Sequence, residues 1–237
     1  MEDKEKVSIH QLFWYFIIFS IIGLFIETMY CYITTGVLES RKGLIWGPFC
    51  PVYGVGASLL ILLLNRFKNN KIKLIIYGGI VGDVIEYLMS YGLEAIYSTR
   101  FWDYSYTNFH LNGRICLIYT VFWAILSVLL ISFVKPIIDK CMEKINFKYI
   151  NIIEILITIF LVIDVLCTVW GISLYEQKAI AVYYNKELNK KNTFLEKVES
   201  ILFSDEKMLR TFPNIRFINE NNEEIWIKDV INNKFPR

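Results

Sequence analysis

The sequence predicts an all-α fold, in which a polytopic bundle of about five transmembrane helices is followed by a small polar C-terminal region. Apolar residues make up 55% of the 237 residues and the mean hydropathy is +0.41, which is more apolar side chain than a soluble core of this size buries. The apolar residues also occur in long runs, separated by short stretches rich in Lys, Asn, Asp and Gly. We therefore expect a transmembrane domain at residues 1–175 and a C-terminal polar region at residues 176–237.

Five apolar segments are candidate spans, at residues 10–35, 52–65, 74–97, 115–135 and 150–175. Four of them reach the roughly 20 residues that a helix needs to cross about 30 Å of hydrocarbon. The second is shorter, and Pro48 and Pro51 just upstream of it, with two glycines, interrupt regular helix over residues 47–54. Two interpretations of this broken segment stay open: an interfacial turn, or a re-entrant segment that lines a cavity.

The distribution of lysine and arginine predicts that the chain is a multi-pass cell-membrane protein with a cytoplasmic N-terminus. The inner segments would hold ten basic residues: Lys4, Lys6, Arg66, Lys68, Lys71, Lys73, Lys135, Lys140, Lys144 and Lys148. The outer loops would hold four: Arg41, Lys42, Arg100 and Arg114. Five spans then place the C-terminal region outside, although four lysines after the last span favour the opposite side: Lys178, Lys186, Lys190 and Lys191.

The C-terminal region carries eleven basic and ten acidic residues. Its first half is typical of a polar, partly amphipathic helix. Its second half predicts a hairpin, with strands at residues 215–218 and 224–227 around an Asn-rich turn. Because an isolated two-stranded hairpin is marginal in water, we expect it to pack on the preceding helix, on the membrane surface or on a partner.

Several functional classes are not favoured by the composition. The net charge of +2, with basic residues in scattered clusters, gives no nucleic-acid-binding surface. The five cysteines form no CxxC pair, and neither His10 nor His110 lies near a cysteine at metal-ligand spacing, so we expect free thiols, no metal and no other cofactor. The chain also lacks HExxH, GxSxG and the phosphate-loop motif G-x-x-x-x-G-K-[ST].

Acidic side chains inside the apolar runs are the candidate pathway residues: Glu27, Asp83, Glu86, Glu94 and Asp164. An acidic side chain at bilayer depth costs roughly 2.5 kcal/mol or more, so it usually faces protein or water and often marks a functional pathway. The alternative is that each acid only pairs with a neighbouring group to hold the bundle together.

The acids of the first and third spans each lie on one polar or small-residue face of their helix, which predicts how the two helices pack. In the third span Asp83, Glu86 and Glu94 share one face with Ser90 and Tyr97. In the first span Glu27 lies on a face of small residues that also contains Ser20, Gly23, Cys31 and Thr34, and such faces let another helix approach closely. We expect these two faces to meet.

The loops predicted on the outer side supply arginines and aromatic rings. Arg41, Arg100 and Arg114 could bind the nearby carboxylates in a two-pronged geometry, or could bind an anionic ligand or lipid headgroup. The loop between the third and fourth spans contains Trp102, Asp103, Tyr104 and Asn112. Aromatic residues at helix ends commonly anchor a helix at the headgroup level, but this loop could also fold back over the bundle.

An ordered set of motifs carries a resemblance to a known family. The set comprises Ile22–Thr28 around Glu27, Arg41–Gly43, Gly47–Gly54 with Tyr53, Glu86–Tyr87, Glu94, Trp102–Ser105 and Asn112–Leu117. Over about residues 9–135 the chain resembles the bacterial family called Putative ABC-transporter type IV, or CmpB-like permeases. Two departures are Lys42, which separates Arg41 from Gly43, and Phe101, where the family tends to have a second Trp. The resemblance implies a permease subunit.

Three functional hypotheses follow. The first is a transport component with a cavity lined by Glu27, Asp83 and Glu86 and gated by the loops around Pro48 and Trp102. ATP could drive it only through a separate ATPase subunit, whereas a proton or cation could use the same carboxylates. The second, which is less favoured, is a membrane enzyme that acts on a lipid or lipid-linked substrate. The third is a non-transporting scaffold or sensor. The expected partners are the lipid bilayer, an ATPase subunit or a second copy of the chain.

Overall fold

The computed structural model describes residues 7–97, 100, 102–144, 149–186, 193–221 and 223–232, apart from the side chains of Tyr97, Thr193 and Leu195. Some residues used in the sequence predictions therefore lie outside the described residues: Lys4, Lys6, Lys148, Lys190, Lys191, Phe101, Asn222 and the side chain of Tyr97.

The first part of the described chain is built from six α-helices. They are α1 (Ile9–Thr35), α2 (Pro51–Leu64), α3 (Lys71–Tyr97), α4 (Leu117–Leu129), α5 (Lys135–Glu143) and α6 (Ile150–Tyr183). A 3₁₀ turn, Asn65–Phe67, extends α2, and a π-helical turn, Leu130–Val134, joins α4 to α5. A short hairpin, β1 (His110–Leu111) and β2 (Ile115–Cys116), lies in the loop before α4.

Three of the described helical runs are long and apolar enough to cross a membrane, namely Ile9–Thr35, Leu117–Glu143 and Ile150–Tyr183. The run Pro51–Phe67 is apolar but shorter, and α3 has 27 residues and contains three acidic side chains. The structure thus confirms a mostly helical chain of membrane type. The number of five spans stays a prediction.

Two helix boundaries differ from the sequence prediction, and proline is involved in both. Helix α2 begins at Pro51, so residues 51–54 are helical although we expected no regular helix there. Proline is compatible with a first helical turn, because the N–H that it lacks has no intrahelical acceptor at that position. The fourth segment continues beyond residue 135 to Glu143, with Pro136 in the first turn of α5.

Contacts divide the chain into two units, and the first comprises Met1–Gly23, Cys50–Gly92 and Trp102–Thr158. Its apolar core is formed by Tyr15, Phe19, Leu60, Ile61, Leu64, Leu74, Ile85, Leu130, Ile131 and Ile138. Glycines on α3 allow α4 to approach closely. A Cβ atom at Gly78 would lie 2.5 Å from the Ser127 side chain, and one at Gly82 would lie 2.4 Å from the Trp123 ring.

The second unit comprises Leu24–Phe49, Leu93–Phe101 and Ile159–Arg237. It contains α7 (Thr193–Leu202), α8 (Asp205–Thr211), β3 (Arg216–Ile218), β4 (Glu224–Trp226) and α9 (Ile227–Ile231). Strands β3 and β4 pair antiparallel, with Phe217 opposite Ile225. Helix α6 continues to Tyr183, past the domain boundary predicted at residue 175, and the apolar side chains of the C-terminal region pack on its last turns around Ile172, Tyr175 and Ala179.

Candidate functional site

Glu86, on α3, is a buried acid of the first unit. Its side chain is buried, with 8% of the residue exposed. The Tyr104 hydroxyl donates to Oε1 at 2.8 Å, and the Trp123 Nε1–H donates to Oε2 at 2.8 Å. Each oxygen of the carboxylate therefore accepts a hydrogen bond, one from the loop before α4 and one from α4 itself.

A tight turn in that loop, residues 102–116, supports Tyr104. Asn112 and Gly113 both have positive φ, at 54° and 68°, and the Arg114 N–H donates to the Leu111 carbonyl across them. Two left-handed residues with the sequence Asn-Gly are typical of a two-residue hairpin turn. The Gly113 carbonyl then accepts the Tyr104 N–H at 2.7 Å, so the turn holds the backbone of Tyr104 above α3.

The phenol of Tyr104 is arranged to remain a donor. Its ring stacks on Tyr119, with 4.5 Å between centroids. Burial and the neighbouring Glu86 carboxylate raise the pKa of Tyr104 well above its usual value. The hydroxyl therefore stays protonated at any physiological pH and can donate to Glu86 throughout that range.

Asp83 lies one turn before Glu86 and has a different environment. The Thr120 hydroxyl donates to its Oδ2 at 2.7 Å, while its Oδ1 is buried and has no hydrogen-bond partner among the described residues. Asp83 borders a groove of about 210 Å³ that is otherwise lined by Val84, Tyr87, Leu88, Leu111 and Ile115. A second groove, of about 360 Å³, is lined by residues 108–111, 115–117 and 120. Neither groove includes Glu86, and the predicted carboxylate-lined cavity stays a prediction.

The same loop also contacts the next turn of α3 through Arg114. This arginine is 8% exposed and donates from Nη1 to the Ser90 hydroxyl at 3.0 Å. Its guanidinium lies 5.8 Å from the Tyr87 ring centroid and 5.5 Å from that of Tyr91, which is cation–π geometry.

The remaining predicted residues of this loop also make defined contacts. The Trp102 Nε1–H donates to the Arg114 carbonyl at 3.1 Å, and the Asn112 amide donates to the Tyr87 hydroxyl at 2.9 Å. Asp103 Oδ1 accepts from both the N–H and the hydroxyl of Ser105, which is a local turn. Of the two interpretations left open for this loop, its contacts with α3 favour a loop that folds back.

Sequence reasoning missed the α4 residues that complete the site, Thr120 and Trp123. A signal for them exists, because Thr120, Trp123 and Ser127 recur at helical spacing in an otherwise apolar span. The glycines of α3 that contact α4 are a second signal, since small residues mark helix–helix interfaces in membranes.

Two further polar clusters in the first unit were also not predicted as sites. Lys135 Nζ contacts Asp139 Oδ2 at 2.6 Å, and the Tyr15 hydroxyl donates to Asp139 Oδ1. Lys135, counted in the sequence analysis among the basic residues of the inner segments, is 6% exposed, lies within a continuous helical run and pairs with Asp139. Near the start of α6, Glu154 accepts hydrogen bonds from two side chains of α1, His10 and Trp14.

The second unit contains Asp164, which is 0% exposed. Its Oδ1 accepts the Trp46 N–H at 3.1 Å and lies 3.4 Å from the Thr168 hydroxyl, which in turn accepts the Ile45 N–H at 3.0 Å. The chain just before the broken segment is thus tied to α6 through the backbone N–H groups of Ile45 and Trp46.

Other predicted residues of the second unit lie nearer its loops. The Arg100 guanidinium pairs with Glu94, 3.4 Å from Nε to Oε2. Arg41 donates to the Cys31 sulfur at 2.7 Å and lies 3.9 Å from Glu39. Glu27 is half-buried on α1, and the expectation that its face meets that of α3 stays a prediction.

The prolines and tyrosine of the broken segment have distinct surroundings. Pro48 is exposed, and Pro51 is the first residue of α2. Within the first unit Tyr53 packs against Gly23, where a Cβ atom would lie 2.3 Å from the Tyr53 side chain. Among the described residues, no group of three or more His, Cys, Asp or Glu side chains could hold a metal ion.

Comparison with known proteins assigns the family. No curated protein and no solved structure matches the chain. The family model described as Putative ABC-transporter type IV matches residues 14–169, more than half of the chain, from α1 into α6. That range includes Glu86, Tyr104, Trp123 and Asp164. The chain belongs to the Putative ABC-transporter type IV family.

Proposed function

We propose that the protein is a permease-like transport component whose pathway runs along the acidic face of α3, past Asp83 and Glu86. The loop at residues 102–116 closes this pathway. The observation that supports the proposal is the pair of hydrogen bonds that Glu86 accepts from Tyr104 and Trp123. A buried acid inside an apolar helix is expensive, and such residues commonly lie on ion or substrate pathways.

The geometry around Glu86 suggests how the pathway opens. Tyr104 belongs to the loop and Trp123 belongs to α4, so one carboxylate joins three elements of the unit. Protonation of Glu86, or binding of a cation to it, weakens the hydrogen bonds that it accepts, because a neutral acid is a poorer acceptor than a carboxylate. Either event therefore favours release of the loop from α3.

Two energy sources fit this proposal. A proton or cation gradient would act directly through the carboxylates, and the buried acids support this source. ATP would require a separate ATPase subunit, because the chain contains no phosphate-loop motif.

We also propose that the C-terminal region lies on the side of the membrane opposite the N-terminus. Within the second unit, the Asn214 amide donates to Glu39 at 3.0 Å, and Arg216 donates to the Arg100 carbonyl at 3.1 Å. The loops that contain Glu39 and Arg100 and the C-terminal region therefore share one side. Because the loop of Glu39 follows one span, the loop of Arg100 and the C-terminal region must each follow an odd number of spans. The C-terminal region then lies opposite the N-terminus whether the chain has three spans or five.

Purification of the tagged protein from its native membranes tests the class of function. We expect an ATPase to co-purify if ATP is the energy source, and no such subunit if an ion gradient is. In the same preparation, a detergent assay for modified lipid tests the enzyme alternative. Formation of a lipid product in detergent, with loss on Glu86→Gln, would contradict the transport proposal.

A further inference from the structure

The irregular segment that precedes α2, residues 43–49, lies along α6 within the second unit. Its backbone is held at Thr168 and Asp164 by the N–H groups of Ile45 and Trp46. Further along, the ring of Phe49 lies 6.5 Å from the ring of Phe160. The segment therefore runs past about two turns of α6, from Thr168 towards Phe160, or about 12 Å along the helix axis.

The exposed side chains of α6 indicate how deep this contact lies. Large apolar side chains are exposed on α6 from Ile152 to Trp170. Eighteen residue steps at about 1.5 Å each give about 27 Å, close to the thickness of the hydrocarbon core of a bilayer. From Ile172 onwards the C-terminal region covers the helix. Asp164 lies within this stretch of exposed apolar side chains, and if the stretch crosses the bilayer, the segment at residues 43–49 that contacts Asp164 is re-entrant.

A re-entrant backbone requires internal partners for its polar groups, and α6 supplies them. The Gly43 N–H donates to the Phe49 carbonyl at 3.0 Å, which closes the segment on itself. Gly47 has a φ of 70°, and a Cβ atom there would lie 2.5 Å from the Phe49 ring. Gly171 leaves room for the segment on α6, because a Cβ atom there would lie 3.0 Å from the Ile45 side chain.

The two carboxylate oxygens of Asp164 differ in their hydrogen bonding. Oδ1 receives the Trp46 N–H and the Thr168 hydroxyl, whereas Oδ2 is buried and has no hydrogen-bond partner among the described residues. An ionised oxygen without a partner is unfavourable in such an environment, and a proton on Oδ2 would remove the charge. The donors at Oδ1 favour the ionised form, and the positive charge of Lys42, the residue before the segment, acts in the same direction.

We propose that Asp164 is a proton-binding site, at which Oδ2 takes up and releases a proton while Oδ1 keeps the re-entrant segment docked on α6. Burial favours the protonated form of this carboxyl group, whereas the donors at Oδ1 favour the ionised form. On the C-terminal side, Lys207 lies over the Trp46 ring, with Nζ 5.1 Å from its centroid, so docking of Trp46 also connects the site to the C-terminal region. The use of this proton to drive transport rests on the function proposed above, but the protonation itself does not.

Infrared difference spectroscopy of the purified full-length protein in lipid nanodiscs tests the site directly. No ligand other than the proton is added: the pH is varied from acid to alkaline, and the C=O stretching band of a protonated carboxyl group is recorded at each pH. We expect a band that titrates in the wild type and is absent in Asp164→Asn. Asparagine keeps an oxygen that accepts the Trp46 N–H, so the segment stays docked. Glu206→Gln removes an exposed carboxyl group on α8 and is the control.

A second pair of variants keeps the proposal falsifiable if Asp164→Asn fails to fold. Thr168→Val removes the hydroxyl that donates to Oδ1, so the midpoint of the band should rise by about one pH unit, while Thr168→Ser should leave it unchanged. A band that is identical in wild type and Asp164→Asn overturns the proposal, and so does a band that is present at every pH. Because the measurement needs neither substrate nor a sealed vesicle, its failure is distinguishable from a failure to transport.

Discussion

The carboxylate of Glu86 illustrates how a single buried acid is accommodated in an apolar helix. Tyr104 and Trp123 each satisfy one oxygen, at equal distances of 2.8 Å. Loss of one donor leaves a buried oxygen without its partner, and the desolvation penalty of that oxygen exceeds the net gain of an ordinary hydrogen bond. The two donors are therefore expected to be important for stability as well as for the proposed gating.

Tyr104→Phe should lower the free energy of unfolding by about 1–3 kcal/mol, because it removes a donor to a buried charged group. Thermal unfolding in detergent, followed by intrinsic fluorescence, measures the effect. The matched control is Tyr106→Phe, since Tyr106 lies in the same loop and is 79% exposed. Equal unfolding temperatures for Tyr104→Phe and the wild type would show that this hydrogen bond does not hold the loop.

The acids of the site and Tyr104 could be predicted from the sequence, but the pairing of each acid with its partners could not. Glu86 and Asp164 are conspicuous because a charged residue within an apolar run carries a large insertion cost. Trp123 and Thr168 are ordinary residues in a membrane helix, and their role depends on which helices come close. The difference between the two carboxylate oxygens of Asp164 also cannot be predicted from the residue type. It depends on the backbone N–H of Trp46, more than a hundred residues earlier in the chain.

At the scale of elements, close packing through glycine determines which helices meet in the first unit. On α2, a Cβ atom at Gly54 would lie 2.1 Å from the Ser20 hydroxyl and 2.5 Å from the Phe16 carbonyl, so α1 and α2 touch along this line. Gly56, half a turn further on, has no such neighbour within 4 Å. Replacing each glycine by alanine therefore distinguishes the effect of close helix packing, at Gly54, from the effect of helix propensity alone, at Gly56.

Gly54→Ala should destabilise the protein by about 1–3 kcal/mol, since the added methyl group forces α1 and α2 apart. Gly56→Ala should leave the unfolding temperature unchanged or raise it, because alanine is the better helix former by about 1 kcal/mol. Thermal unfolding of the two variants in the same detergent compares them directly. If Gly54→Ala proved as stable as Gly56→Ala, the close approach of α1 and α2 would be wrong.

Helix boundaries were the least predictable part of the elements. The apolar runs identify helices that cross lipid, but they do not mark where a helix continues beyond it. Helix α6 extends to Tyr183 because the C-terminal region supplies apolar partners for its last turns. The run from α4 through α5 passes residue 135 because Asp139 neutralises the buried Lys135. Both helix ends depend on tertiary contacts, which a hydropathy pattern does not report.

At the scale of the whole molecule, the side proposed for the C-terminal region is argued from contacts rather than from charge. The lysines after the last span suggest one side, and counting of spans suggests the other. The contacts of Asn214 with Glu39 and of Arg216 with Arg100 support the proposal that the C-terminal region lies on the same side as the loops of Glu39 and Arg100. The conclusion needs only an odd number of crossings.

Cysteine labelling checks this topology. In a background with the exposed Cys141 replaced by serine, single cysteines at Val37 and Glu220 should react alike with a membrane-impermeant maleimide. A cysteine at Lys144, the exposed residue after α5, should be protected under the same conditions and react only after the membrane is opened. If Glu220→Cys instead reacts together with Lys144→Cys, the C-terminal region lies on the other side.

Proton flux in sealed vesicles tests the proposed pathway most directly. The protein is reconstituted with whatever subunit co-purifies from native membranes, ATP is enclosed if an ATPase is present, and a pH-sensitive dye reports the flux. We expect flux above that of empty vesicles, a loss of most of it in Glu86→Gln, and wild-type flux in Glu143→Gln, whose carboxyl group is exposed at the end of α5. Wild-type flux in a correctly folded Glu86→Gln protein would contradict an acid-lined transport pathway along α3, and no flux from the wild type would contradict a proton-driven one.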